Sequence, residues 1–187
     1  MDIKNQLTNQ VKALLKHTIS NSNDNASSGI SAFLRKGGLG LLNQTIGTVM
    51  PFASRNGFKV LKVEPGYVQC QIPLKINKNH FGTMYAGALF TLAEMPVGVM
   101  ALLEFDSKFY PLLKEMTVQF VNVAKSAATI EYRLSAEERA RIEAEALKNG
   151  KCEFTMDGEL KDAEGITVAI SRGVYQIRTR GETLKKA

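Results

Sequence analysis

Between Asn79 and Glu94 the chain reads Asn-His-Phe-Gly-Thr-Met-Tyr-Ala-Gly-Ala-Leu-Phe-Thr-Leu-Ala-Glu, a polar segment running into an apolar one. Gly82, Ala86 and Gly87 sit at the junction, where small side chains let a ligand or another backbone approach closely. The first N–H groups of a helix starting here lack intrahelical acceptors and point out of its end. Such donors suit a carbonyl oxygen that is becoming an oxyanion. Glu94 follows Gly87 by seven residues, two turns along the same helix, among apolar neighbours. A carboxylate is seldom buried without a partner, and desolvation would raise its pKa and make it a better base. Donors at the helix start and a carboxylate two turns on fit attack on an acyl carbonyl, by water or by the carboxylate itself. A surface glutamate or one held in a structural ion pair fits the same spacing.

The surrounding elements have to position these groups. Ile3, Leu7, Val11, Leu14, Leu15 and Ile19 recur at helical spacing, which predicts an amphipathic helix followed by a polar linker from Ser20 to Gly29. Packing on its own domain or on a partner subunit is the commoner use of such a helix, and lying on a membrane surface the rarer one. Residues 30–52 form a lead-in helical stretch, interrupted at Gly37-Gly38 and closed by Pro51. From Phe58 the period becomes alternating: a strand to Val63, a turn at Glu64-Pro65-Gly66, and a hairpin partner over Tyr67–Leu74. Ala86–Phe105 is an apolar, mostly helical run with few charges, which implies burial on most faces. Strands follow over Leu112–Val123 and Ala128–Ser135, then a charged helix opened by Ser135 and ended by Asn149-Gly150. Lys151–Leu160 and Ile166–Arg178 complete the set. One long apolar helix followed by antiparallel strands predicts an α+β domain over residues 30–182, its curved sheet wrapped around that helix, with residues 1–29 as an N-terminal extension.

Composition narrows the function classes. The 187 residues are 44% hydrophobic and 22% charged, a globular balance sized for one core. The first residues are polar and unlike a signal peptide, and Val97–Leu103 is far short of the ~20 residues of a bilayer span, so a cytoplasmic location is expected. Cys70 and Cys152 lie in strand-like segments away from other ligand-type residues and read as buried free thiols. With His17 and His80 as the only histidines, a structural zinc site or a multi-imidazole centre is not expected. The net charge of +6 favours anionic partners. Its basic residues are scattered among acids, which points to a phosphorylated small ligand such as coenzyme A, or a solvated surface, rather than nucleic acid.

The stretch from Asn79 to Glu94 resembles the signature of hotdog-fold acyl-CoA thioesterases of the phenylacetate-pathway and 4-hydroxybenzoyl-CoA type. In those, an Asn or Asp and a Gly precede His-Gly-Gly, and an acidic residue stands nine positions after the His. Asn79 and Gly82 match the first two, Tyr85-Ala86-Gly87 stands for His-Gly-Gly, and Glu94 falls at the nine-residue offset. The resemblance implies Glu94 as general base for water or as nucleophile, with the Ala86 N–H and neighbouring Gly87 polarising the thioester carbonyl. Asn79 would orient water or thioester from the neighbouring subunit of a dimer or tetramer, without metal or cofactor. The substrate implied is acyl-CoA or an acyl-carrier-protein thioester. Two departures stand out. Tyr85 replaces the His, so any imidazole role is lost or passes to His80, and Ala86 adds a methyl that a helical backbone can accept.

Pro96 should remove the bond to the Leu92 carbonyl and kink the helix beyond Glu94. On Leu112–Phe120, strict alternation puts Lys114 on the apolar face with Met116, Val118 and Phe120. Lys114 would then point at the central helix, paired with Glu94, Glu104 or Asp106 or meeting the substrate. Two activities compete: thioester hydrolysis with an apolar channel along Val97–Leu103, and non-catalytic binding of an acyl group. Hydration or dehydration on the same fold is disfavoured, because its usual His position is Tyr85.

Overall fold

A computed structural model describes residues 38–179 of the chain. The helix and linker expected within residues 1–29 lie outside the described residues, as does Gly37, whereas Gly38 of the expected interruption opens a helix. Helix α1 spans Gly38–Val49 and the short α2 spans Pro51–Arg55. Pro51 therefore opens a second helix rather than simply closing the first, because its fixed φ and missing N–H cost nothing at a helix start. Six strands follow: β1 (Lys59–Glu64), β2 (Tyr67–Ile72), β3 (Phe109–Phe120), β4 (Ala128–Arg133), β5 (Lys151–Lys161) and β6 (Thr167–Thr179). Helix α3 (Ala86–Glu104) lies between β2 and β3 in sequence, and α4 (Ala136–Asn149) between β4 and β5.

The strands form one antiparallel sheet in the order β1-β2-β4-β5-β6-β3. Helix α3 packs against β2, β3, β4, β5 and β6. This is the hotdog arrangement, a sheet wrapped around one long helix. The period-2 pattern explains the wrapping: Cys152, Phe154, Met156, Gly158 and Leu160 are buried on one face of β5 while the residues alternating with them are exposed. Leu92, Ala93, Val97 and Met100 on α3 are buried against that inner face. By length and composition α3 could cross a bilayer. Here its apolarity is used up by the sheet, as for the core helix of any domain.

The helix ends follow local chemistry. Ser135 Oγ accepts the Glu138 N–H at 3.1 Å and caps α4, while Gly150 takes the left-handed conformation after it. Glu104, in the last turn of α3, reaches the β1–β2 turn, where its Oε1 accepts the Gly66 N–H at 2.6 Å. Its other oxygen lies 3.8 Å from Arg139 on α4. Glu104 thus ties the end of the core helix to two other elements. Gly66 has φ +67°, and a Cβ there would collide with the Leu134 carbonyl oxygen. Gly66→Ala is therefore expected to destabilise the fold by at least about 2 kcal/mol, read as a lower urea midpoint with unchanged slope.

Candidate functional site

The start of α3 is held by the chain leading into it. The Asn77 side chain is buried and donates to the carbonyls of Asn56, at 2.8 Å, and Pro73, at 2.7 Å. The Asn77 carbonyl accepts the Tyr85 N–H at 2.8 Å, and Met84 N–H donates to Ala124 at 2.9 Å. Asn79 closes the loop in between. Its Oδ1 accepts the N–H groups of Phe81 and Thr83, and its Nδ2 donates to Thr83 Oγ1 at 2.9 Å. Gly82 supplies the positive φ, +80°, that this tight loop requires. Within one chain Asn79 thus acts on its own loop. His80 is exposed, with its ring 3.8 Å from that of Phe81, and stands outside the ordered loop contacts.

Tyr85 is the N-cap of α3, in an extended conformation, and its side chain makes no capping bond. The N–H groups of Ala88 and Leu89 turn back to the Tyr85 carbonyl. Those of Ala86 and Gly87 find no acceptor among the described residues. The methyl of Ala86 is accommodated because the residue is helical and exposed. Gly87 is explained by its neighbour: a Cβ there would run into the Tyr85 ring, which lies across the first turn. The helix start thus presents two free N–H groups beside an aromatic ring.

Glu94 is half-buried two turns further on, about 10 Å along the axis. No described residue bonds or pairs with its carboxylate, and burial alone pushes its pKa above the ordinary value. It opens into a cleft of about 350 Å³ between α1, α3 and the start of β3, lined by Ile46, Val49, Met95, Val99, Leu102 and Phe109 among others. A carboxylate without a cationic partner in an apolar cleft is a base rather than half of an ion pair.

The turn carrying Glu94 is anchored from the sheet by two residues that sequence patterning did not single out. Tyr132 on β4 donates to the Ala93 carbonyl at 2.9 Å and meets Ser171 Oγ at 3.1 Å. Tyr175 on β6 donates to the Glu94 carbonyl at 3.4 Å. Pro96 lies just beyond in an otherwise continuous helix and withdraws the N–H that the Leu92 carbonyl would receive. The phenols donate to the next two carbonyls, those of Ala93 and Glu94, rather than to that of Leu92. Room for the rings comes from Gly158, where a Cβ would fall 2.8 Å from Tyr132, and Gly173, where it would fall 2.6 Å from Tyr175. Burial raises the Tyr132 pKa to about 12 and that of Tyr175 higher, so both stay protonated donors. A tyrosine at alternating, inward positions of β4 and β6 was the available signal, but it looks the same as ordinary core packing.

Lys114 corrects the strand pattern. A β-bulge between Leu113 and Glu115 leaves Lys114 without a partner on β6 and shifts the alternation by one. Lys114 therefore emerges on the outer face, exposed, 3.3 Å from Glu153 on β5. It meets none of Glu94, Glu104 and Asp106. The structure brings Tyr85, Ala86 and Gly87 together at the helix start, places Glu94 in the cleft, and leaves Lys114 on the other side of the sheet. Both cysteines are buried and free. Among the described residues no His, Cys, Asp or Glu cluster could hold a metal ion.

Two stability measurements follow from this geometry. Tyr132→Phe leaves the Ala93 carbonyl and Ser171 short of a buried partner and should cost about 1–3 kcal/mol in urea unfolding. A carboxyl with a raised folded-state pKa contributes stability that is full below its unfolded pKa and lost as pH rises through the folded one. Glu94→Gln should therefore be more stable than the parent at neutral pH, with the difference closing as the pH falls through the raised folded-state pKa toward 4.5. An unchanged difference across that range would show that Glu94 is not desolvated.

Comparison with known proteins places the chain. The DUF4442 family model, a domain of unknown function, matches residues 38–177. No curated protein matches. A Pseudomonas aeruginosa protein of unknown function, described as a probable thioesterase, is 43% identical, with a TM-score of 0.72 over 75% of this chain and 95% of its own. A thioesterase from Staphylococcus aureus, studied as a glutamine-to-alanine mutant, shares 21% identity and a TM-score of 0.57 over 69% and 99% of the two chains. A Haemophilus influenzae thioesterase shares 14% and 0.62 over 78% and 94%; these last two speak for the fold alone. The chain belongs to the DUF4442 family and is a divergent member of the hotdog-fold thioesterase superfamily.

Proposed function

We propose that this protein hydrolyses an acyl thioester of coenzyme A or of acyl carrier protein to the free acid and thiol. The observation that carries this reading is Glu94: a carboxylate without a partner among the described residues, desolvated, facing an apolar cleft, on a helix whose first two N–H groups are free. In the reaction Glu94 takes a proton from water as the water attacks the thioester carbon, or attacks that carbon itself to form an anhydride that water then opens. Ala86 and Gly87 N–H groups donate to the carbonyl oxygen as it gains charge. The thiolate leaves and is protonated. The Tyr85 ring beside those donors would flank the thioester.

A homodimer or homotetramer is the form we expect to be active. The helix start and Glu94 of one chain are about 10 Å apart along the axis, and a second copy can bring its own helix start beside the first chain's Glu94. Phe81, Tyr85 and Phe90 around the helix start are exposed, as are Leu112 and Phe120 on β3, an edge strand of the sheet. Such apolar exposure suits an interface. Asn79 would reach the site only across it. A cytoplasmic setting fits these substrates.

A second reading, binding of an acyl group without turnover, is favoured by one feature: the Tyr85 ring lies across the turn that would have to receive the carbonyl. Two variants separate the readings in an acyl-CoA hydrolysis screen that includes aryl thioesters. Glu94→Gln should lower kcat by about 10²–10⁴. Its parent should show kcat/KM rising with pH through a pKa above 4.5. Ala86→Pro removes one donor at a position where proline is tolerated, after a residue already extended at ψ 134°. It should lower kcat by about 10²–10³ with the fold retained. Absence of parent turnover on every thioester in the screen, with acyl-CoA still bound, establishes the binding reading instead.

A further inference from the structure

The cleft beyond Glu94 is longer than the chemistry at its carboxylate requires. Glu94, Gly98 and Leu102 follow one another at four-residue spacing along α3, a stripe about 12 Å long. Thr45 and Val49 form a matching stripe on α1. The groove runs between these two helix stripes, and Met50 and Met95 give part of its wall the flexible, unbranched side chains that adapt to a chain.

Gly98 is the unexplained residue in that stripe. Glycine is a poor helix former, and it stands in the middle of α3. Its backbone is not in the left-handed region, and a Cβ at this position would meet no described residue within 4 Å. Neither backbone strain nor helix packing among the described residues calls for glycine here. What its missing side chain leaves open is the floor of the cleft.

We propose that the cleft seats an unbranched aliphatic acyl chain that runs from Glu94 along α3, with α1 as its outer wall and Gly98 setting the length it accepts. This rests on reading Glu94 as the acid of a thioesterase. The cleft volume of about 350 Å³ equals roughly a dozen waters at ~30 Å³ each. Methylene groups are of similar size, so an acyl chain of about ten carbons fills it. Each methylene buried there strengthens binding about fourfold, the equivalent of ~0.8 kcal/mol.

The test is calorimetric titration of the full-length Glu94→Gln protein with straight-chain acyl-CoAs from butanoyl to tetradecanoyl, alone and combined with Gly98→Ala or Gly98→Leu. Affinity should climb about fourfold per methylene and level off near decanoyl. Gly98→Leu should move the plateau about three carbons shorter and weaken decanoyl-CoA at least about tenfold. Gly98→Ala, which helix propensity favours and which therefore folds, should move it in the same direction by less. Affinity independent of chain length, or a plateau that neither variant moves, overturns the assignment. Hydrolysis by the parent over the same series judges the underlying reading separately. A shifted binding plateau without turnover keeps the cleft and discards the thioesterase, whereas turnover with a flat binding profile does the reverse.

Discussion

The candidate site depends on two hydrogen bonds that hold the Glu94 turn of α3 to the sheet, two residues ahead of Pro96, which withdraws the N–H that the Leu92 carbonyl would receive. Tyr132 and Tyr175 donate to the carbonyls of Ala93 and Glu94 from two different strands, and Gly158 and Gly173 leave the room their rings occupy. The turn that carries Glu94 is thereby pinned by its backbone. Its carboxylate makes no hydrogen bond or ion pair with any described residue, and the residue lines the cleft.

This division suits a base. A carboxylate held by ion pairs would be positioned but stabilised in its charged form, with its pKa lowered and its basicity weakened. Holding the main chain with neutral phenols positions the same group without that loss, and burial then raises its pKa. The helix start is built by the same logic. Asn77, Asn79 and Thr83 use their side chains on the loop, while the N–H groups of Ala86 and Gly87 stay free among the described residues. On the proposed reading, the opposite electrostatic needs of a base and an oxyanion donor are supplied by the two ends of this stretch of α3, brought together between two copies of the chain.

Much of the fold was legible because it follows from period. The perfect alternation of β5, the capped and charged α4 and the apolar α3 are each dictated by which faces must be buried. Lys114 shows where period reading fails. A bulge is one extra residue with no signature in the pattern, and it turned an inward lysine into an outward one paired with Glu153. Tyr132 and Tyr175 were hidden for another reason: an inward aromatic on a strand looks alike whether its hydroxyl is idle or anchors a helix carbonyl.

By itself, the sequence determined the class of domain, the long apolar helix at its centre and the spacing of Glu94 from the Tyr85-Ala86-Gly87 turn. These depend on short-range geometry, helical rise and strand alternation, which neighbouring residues dictate. Only the tertiary structure decided that the Glu94 carboxylate makes no bond or ion pair with any described residue and that α1 closes a cleft over Gly98. Each of those depends on which distant segments meet. Contacts between residues dozens of positions apart arise from the packing of the whole sheet around the helix, and no local pattern encodes them.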